Sequence, residues 1–133
     1  MSCRSAIFLE NSGTNAVTEG NAIPTGNVVR RFGKNVSQSG SGVVACGDGY
    51  FEVIGNFTVV PTAVGVVGVT IVKDGVALGS ASQTYAGTAG EPVNLTVVGL
   101  IRNACCDVRS FVEFVLSNGT GTVSQSNVIV AKI

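Results

Sequence analysis

The chain has no histidine and no tryptophan, one methionine, three prolines, and charged residues at only 12% of its 133 positions. Each shortage excludes something. Catalysis by a nucleophile and a base needs a group that titrates near neutrality, most often histidine, so the commonest hydrolytic apparatus is missing. Eight Lys and Arg balance eight Asp and Glu, and a neutral chain has no net field to draw nucleic acid or an anionic lipid surface. Long apolar runs are absent too. The longest, Val59 to Val72, is broken by Pro61, Thr62, Gly65, Gly68 and Thr70, and falls short of the ~20 residues that span a bilayer. The opening Met1-Ser2-Cys3-Arg4-Ser5 lacks the apolar core of a secretory signal. Either the protein is made in a cytosol and released by another route, or a leader has been removed.

The residues that remain assemble no recognisable chemistry. The four cysteines, Cys3, Cys46, Cys105 and Cys106, match no zinc template, which needs paired C-x-x-C units or histidine partners. Adjacent cysteines rarely bridge each other because the peptide between them is strained. The alternatives are thiols buried as small hydrophobes or disulfides formed between segments after assembly, and the reduced state is the expectation. The carboxylates are Glu10, Glu19, Asp48, Glu52, Asp74, Glu91, Asp107 and Glu113. Most fall at predicted turns, where Asp bonds to its own backbone. Glu52 and Glu113 fall in predicted strands, where they can face each other or an arginine across an interface. Gly47-Asp48-Gly49 and Asp74-Gly75 are too short for calcium loops, and no glycine-rich stretch links a strand to a helix as a phosphate cradle does. Arg30-Arg31 with Lys34 is the single basic cluster; without interleaved aromatics it reads as a subunit salt bridge or plain solubility rather than a polyanion site. Asn35, Asn56, Asn94 and Asn118 begin Asn-x-Ser/Thr triplets, expected by chance in a chain rich in these residues. The sequence therefore predicts no catalytic, cofactor-binding or metal residues, and no cofactor.

What is present is glycine, 18 residues of it, and short β-type runs separated by Gly, Asn, Asp and Ser, the mark of a sandwich or barrel. Runs are predicted at Cys3 to Leu9, Asn27 to Phe32, Val43 to Cys46, Tyr50 to Val60, Val64 to Lys73, Val76 to Tyr85, Pro92 to Arg102, Arg109 to Leu116 and Thr122 to Ile133. Glu10 to Gly26 reads as a long loop with one short strand near Val17, and Gly33 to Gly42 as a polar connector. Asn103 to Asp107 reads as a turn carrying the cysteine pair. In Tyr50 to Val60, Phe51, Val53, Phe57 and Val59 share one face at period two. Asp74-Gly75 and Asn118-Gly119 are predicted hairpin turns, since such pairs supply positive φ angles. No segment has helical apolar spacing. The count of about eight to ten strands suits a two-sheet jelly roll, with residues 1–133 as one domain and 1–26 as a strand and loop available for anchoring or subunit contacts.

Val64 to Val72 and Phe111 to Leu116 are apolar on both faces, whereas a strand in a lone sandwich has one wet face. Together with the scarcity of charge this predicts a homo-oligomer, with Val66, Phe111, Phe114 and Val115 as candidate interface residues.

Gly49 to Val59, followed by Val69 to Val76 with its Asp74-Gly75 turn, resembles the middle of C1q-like and TNF-like jelly rolls. There a Gly-x-Tyr aromatic strand precedes one that ends in an Asp-Gly hairpin. The whole chain also resembles small phage-associated proteins of Gram-positive bacteria, through its Met1 to Ala6 opening, Arg30-Arg31-Phe32-Gly33, and Arg102 to Cys106. The resemblance implies a trimeric jelly roll displayed on a particle surface. The expected function is then a non-enzymatic virion structural protein, a capsid decoration or a head or tail fibre subunit. Its partners would be itself and other virion proteins, with no nucleic acid and no membrane insertion. The alternative is a receptor- or glycan-binding module of the same fold on a bacterial spore or cell surface. That reading needs aromatics at loop tips, and only Tyr85 lies near one.

Overall fold

The computed structural model describes residues 5–103 and 109–133; the turn predicted at Asn103 to Asp107, apart from Asn103 itself, lies outside them. The described residues form eleven strands and no helix. They are β1 (Ala6–Asn11), β2 (Asn15–Val17), β3 (Asn27–Phe32), β4 (Val36–Ser39), β5 (Gly42–Cys46), β6 (Gly49–Pro61), β7 (Gly65–Lys73), β8 (Val76–Ala86), β9 (Val93–Asn103), β10 (Arg109–Asn118) and β11 (Gly121–Lys132). One sheet runs β3-β1-β11-β6-β9, with β2 beside β11, and the other runs β4-β5-β10-β7-β8. Every pairing is antiparallel. From β5 to β11 the chain passes repeatedly from sheet to sheet, as a jelly roll does.

Alternation decides what is buried. In β6, Phe51, Val53, Phe57 and Val59 point inward while Tyr50 and Glu52 are exposed. In β10, Val112, Phe114 and Leu116 do the same opposite them. The Phe57 and Phe114 rings meet at the centre with centroids 5.1 Å apart and planes tilted by 54°. Gly55 permits this, because a Cβ there would lie 2.6 Å from the Phe114 ring.

Of the two predicted hairpin turns, one forms as expected and one does not. Asp74 (φ 51°) and Gly75 (φ 82°) form the predicted tight hairpin, and the Asp74 carboxylate also accepts the Phe111 N–H at 2.8 Å. Asn118-Gly119, however, joins β10 of one sheet to β11 of the other. The dipeptide specifies a positive φ (76° at Gly119) but not which strands pair. Gly119 is needed for a different reason: the Val66 carbonyl lies 2.9 Å from where its Cβ would be.

The segment after β1 does more than a loop would. Residues 15–17 pair with β11; then Gly20 N donates to Leu116 O and Ile23 N to Phe114 O, both at 2.7 Å. A stretch of nine residues thus bonds to both sheets, with Val17 and Ile23 buried between them. The predicted connector at Gly33 to Gly42 contains β4, overlooked because only Val36 of that strand is apolar.

The two poles of the sandwich are distinct. At one, Ala6 pairs with Ala131, and Lys132 N donates to Ser5 O. At the other, the connections are laced together: Gly90 N to Pro61 O, Thr62 N to Thr120 O, and Gly119 N to the Glu19 carboxylate.

Candidate functional site

Each sheet has one face against the core and one facing out, and the outer faces differ. On the six-stranded sheet the register lines up side chains in rows across the strands. Phe8 pairs with Ile129, Ile129 with Ile54, and Ile54 with Val98, giving one apolar row across four strands. The next row toward the pole of the chain ends runs Phe32, Ala6, Ala131, Glu52, Leu100. Val98 is 58% and Leu100 54% exposed. Beyond them Arg102 lies over the Tyr50 ring, 5.8 Å from its centroid. Large apolar side chains standing side by side in water are the signature of a covered surface.

Toward the opposite pole the same face turns polar. Thr96 Oγ1 donates to Asn56 Oδ1 at 2.7 Å, and Asn56 Nδ2 donates to Asn127 Oδ1 at 2.8 Å. One row further, Thr58 Oγ1 donates to Asn94 Oδ1 at 2.8 Å. These residues and Gln125 line a depression of about 260 Å³.

The outer face of the five-stranded sheet carries three of the expected interface residues. Val66 is 45% exposed, while Phe111 and Val115 are half-buried. Phe111 is packed over Gly42, whose Cβ would meet the ring at 2.6 Å, and Val115 pairs with Ala22. Between them Glu113 accepts the Ser41 hydroxyl at 3.1 Å. Phe114 does not belong with these residues. Being one residue out of phase with Phe111 and Val115, it points into the core, where it is 1% exposed. The apolar rows on the other sheet were overlooked because Phe8, Ile54, Val98 and Ile129 are far apart in sequence and only pairing brings them together.

Nothing in the described residues gathers reactive groups. Glu52 and Glu113 do not face each other; each sits on the outer face of a different sheet. No group of three or more metal-ligating side chains occurs among the described residues. Cys46 carries a free, half-buried thiol beside a cleft of about 410 Å³ lined by Lys34, Asn35, Gly47 and Arg109. Cys3, Cys105 and Cys106 lie outside the described residues. Of the basic cluster, Arg31 donates Nε–H to the Val36 carbonyl at 2.6 Å. All four Asn-x-Ser/Thr asparagines have internal partners for their amides: Asn56 in the ladder, Asn94 accepting from Thr58, Asn118 donating to Gln83 Oε1, and Asn35, which donates to Cys46 O and accepts from Ser5 Oγ. No helix of the described residues is long and apolar enough to cross a membrane.

No protein-family model matches the chain, and no curated protein matches it in sequence. Solved structures do. Murine APRIL at pH 5.0 superposes with a TM-score of 0.76 at 11% identity, covering 98% of this chain and all of that one. The globular domain of zebrafish complement 1qA gives 0.67 at 5% identity, over 94% of each chain. PRD1 vertex protein P5 gives 0.62 at 16% identity, over 97% of this chain and 96% of that one. The fold is a C1q/TNF-like jelly roll.

Proposed function

We propose that this protein is a non-enzymatic structural subunit that assembles as a homotrimer on the surface of a virus particle, as a capsid decoration or a head or tail fibre subunit. The observation that carries the self-association is the apolar row from Phe8 to Val98 beside the mainly apolar row from Phe32 to Leu100, interrupted only by Glu52. Covering side chains the size of Val98 and Leu100 contributes about 1.5–3 kcal/mol each. The face also holds charge of both signs, Arg30 and Arg102 with Glu52, so a second copy can complement it. The presence of Ala6 and Phe8 in these rows supports a part for the N-terminal 1–26 segment in subunit contacts. The particle location is supported by the fold shared with a vertex protein and by the resemblance of the whole chain to small phage-associated proteins.

Sedimentation velocity and native mass spectrometry of the purified protein test the assembly; a three-chain species is expected, and a monomer at micromolar concentration overturns it. Peptides of this chain in gradient-purified virions test the location, and their absence from particles of a producing strain counts against it. The reading as a receptor- or glycan-binding module has one supporting feature, the 66% exposed Tyr85 at the laced pole. Binding of a saccharide that is lost on Tyr85→Ala would favour it.

A further inference from the structure

The face proposed to join subunits is divided, and the division has a purpose of its own if that assembly reading holds. On the half nearer Ser5 and Ile133 the rows are mainly apolar; on the other half they are amides and hydroxyls. We propose that the polar half, the ladder of Thr96, Asn56 and Asn127 with Thr58 and Asn94, sets the alignment in which copies of this chain meet, by making every slipped arrangement bury unsatisfied donors.

The geometry supplies the mechanism. Both atoms of the Asn56 amide are used within the chain, one toward Asn127 and one toward Thr96. The Nδ2 groups of Asn127 and Asn94 and the Gln125 amide have no hydrogen-bond partner among the described residues. What the ladder presents outward is therefore an excess of N–H donors above the depression of about 260 Å³, which has room for several waters at ~30 Å³ each. With the apolar rows of one copy against those of the next, the ladder stays over the wet depression and its donors keep their water. Rows on one face repeat every second residue, so a slip of one row is a shift of about 7 Å along the strands. It lays Val98 or Ile54 of one copy over Asn127, Asn56 and Thr96 of another. Donors that lose water without gaining an acceptor are costly, so the slipped form is disfavoured. A face apolar throughout would lack this discrimination, since hydrophobic contact is non-directional.

Combining Asn56→Val, Thr96→Val and Asn127→Val removes the row of the ladder that a one-row slip would cover, with residues that favour strands and point away from the core. The parent is expected to give one stoichiometry in native mass spectrometry at every concentration tested. The triple variant, with an unchanged β circular dichroism spectrum, is expected to give two or more stoichiometries or a broadened sedimentation boundary. A triple variant that assembles as the parent does, with one stoichiometry and one sharp boundary, overturns the ladder's role while leaving the assembly intact. Ile54→Asn on the apolar row separates the two ideas, because it is expected to yield monomers whatever the ladder does. A monomeric parent overturns the assembly reading, and this inference falls with it.

Discussion

The Phe114 ring sits 5.1 Å from that of Phe57, in space that any side chain at Gly55 would occupy. The contact joins β6 of one sheet to β10, the middle strand of the other, so the absence of a Cβ on β6 is as much a part of the core as the two rings. Gly55→Ala is expected to cost about 1–3 kcal/mol, the usual penalty of overpacking. Phe114→Ala is expected to cost about 3–5 kcal/mol through the cavity it leaves. Urea unfolding of both variants against the parent measures this; a Gly55→Ala midpoint equal to the parent's would contradict the close approach.

Asp74 serves the turn twice, adopting a positive φ and accepting the Phe111 N–H. Asn also tolerates the left-handed region and keeps a side-chain oxygen. Asp74→Asn should therefore be nearly neutral, and Asp74→Ala should cost about 1–2 kcal/mol. Thermal melts that rank the two substitutions in the opposite order would show that the side-chain bond contributes nothing.

Ser126 is buried between the sheets, and its hydroxyl has no hydrogen-bond partner among the described residues. Removing a polar atom that has lost water for nothing gains free energy. Ser126→Ala is expected to raise stability by about 1 kcal/mol, and a lower unfolding midpoint would reveal a partner for the hydroxyl.

Val98 and Val66 make a controlled comparison, since both are exposed valines but on the outer faces of different sheets. Val98→Asp is expected to dissociate the assembly, an unpaired carboxylate being costly to bury. Val66→Asp is expected to leave the sedimentation coefficient unchanged. Dissociation by Val66→Asp alone would move the interface to the five-stranded sheet, where Phe111 and Val115 also lie.

Thiol titration of the protein denatured without reductant is expected to count four, from Cys3, Cys46, Cys105 and Cys106. Fewer than four would show a bridge, and a covalent dimer or trimer band on a non-reducing gel would place it between subunits.

The strands were legible where alternation was strong. Phe51 to Val59 and Val112 to Leu116 declare their buried faces in sequence, and Asp74-Gly75 declares its turn. What escaped were features that depend on pairing. Asn118-Gly119 has the chemistry of a hairpin turn but bridges the sheets, because local φ preference carries no information about a strand's partner. β4 has too few apolar residues to show a period. The apolar rows are assembled from residues up to 125 positions apart (Ala6 and Phe8 in β1 against Ala131 and Ile129 in β11), which no window on the sequence can reveal. The two-sided apolar character of Phe111 to Leu116 was visible, but its outward members Phe111 and Val115 are half-buried within the same chain, Phe111 lying over Gly42 and Val115 beside Ala22.

The pairing of Ala6 with Ala131, closed by the bond from Lys132 to Ser5, places both described chain ends at one pole. Because those ends belong to neighbouring antiparallel strands, a force drawing Ser5 and Ile133 apart would open β1 from β11 rung by rung, not shear all their bonds at once. A tether acting through one end alone would pull β1 lengthwise against both β3 and β11, loading many bonds together. The same fold is thus weak when stretched between its ends and strong when hung from one of them, a mechanical asymmetry that follows from the strand order alone.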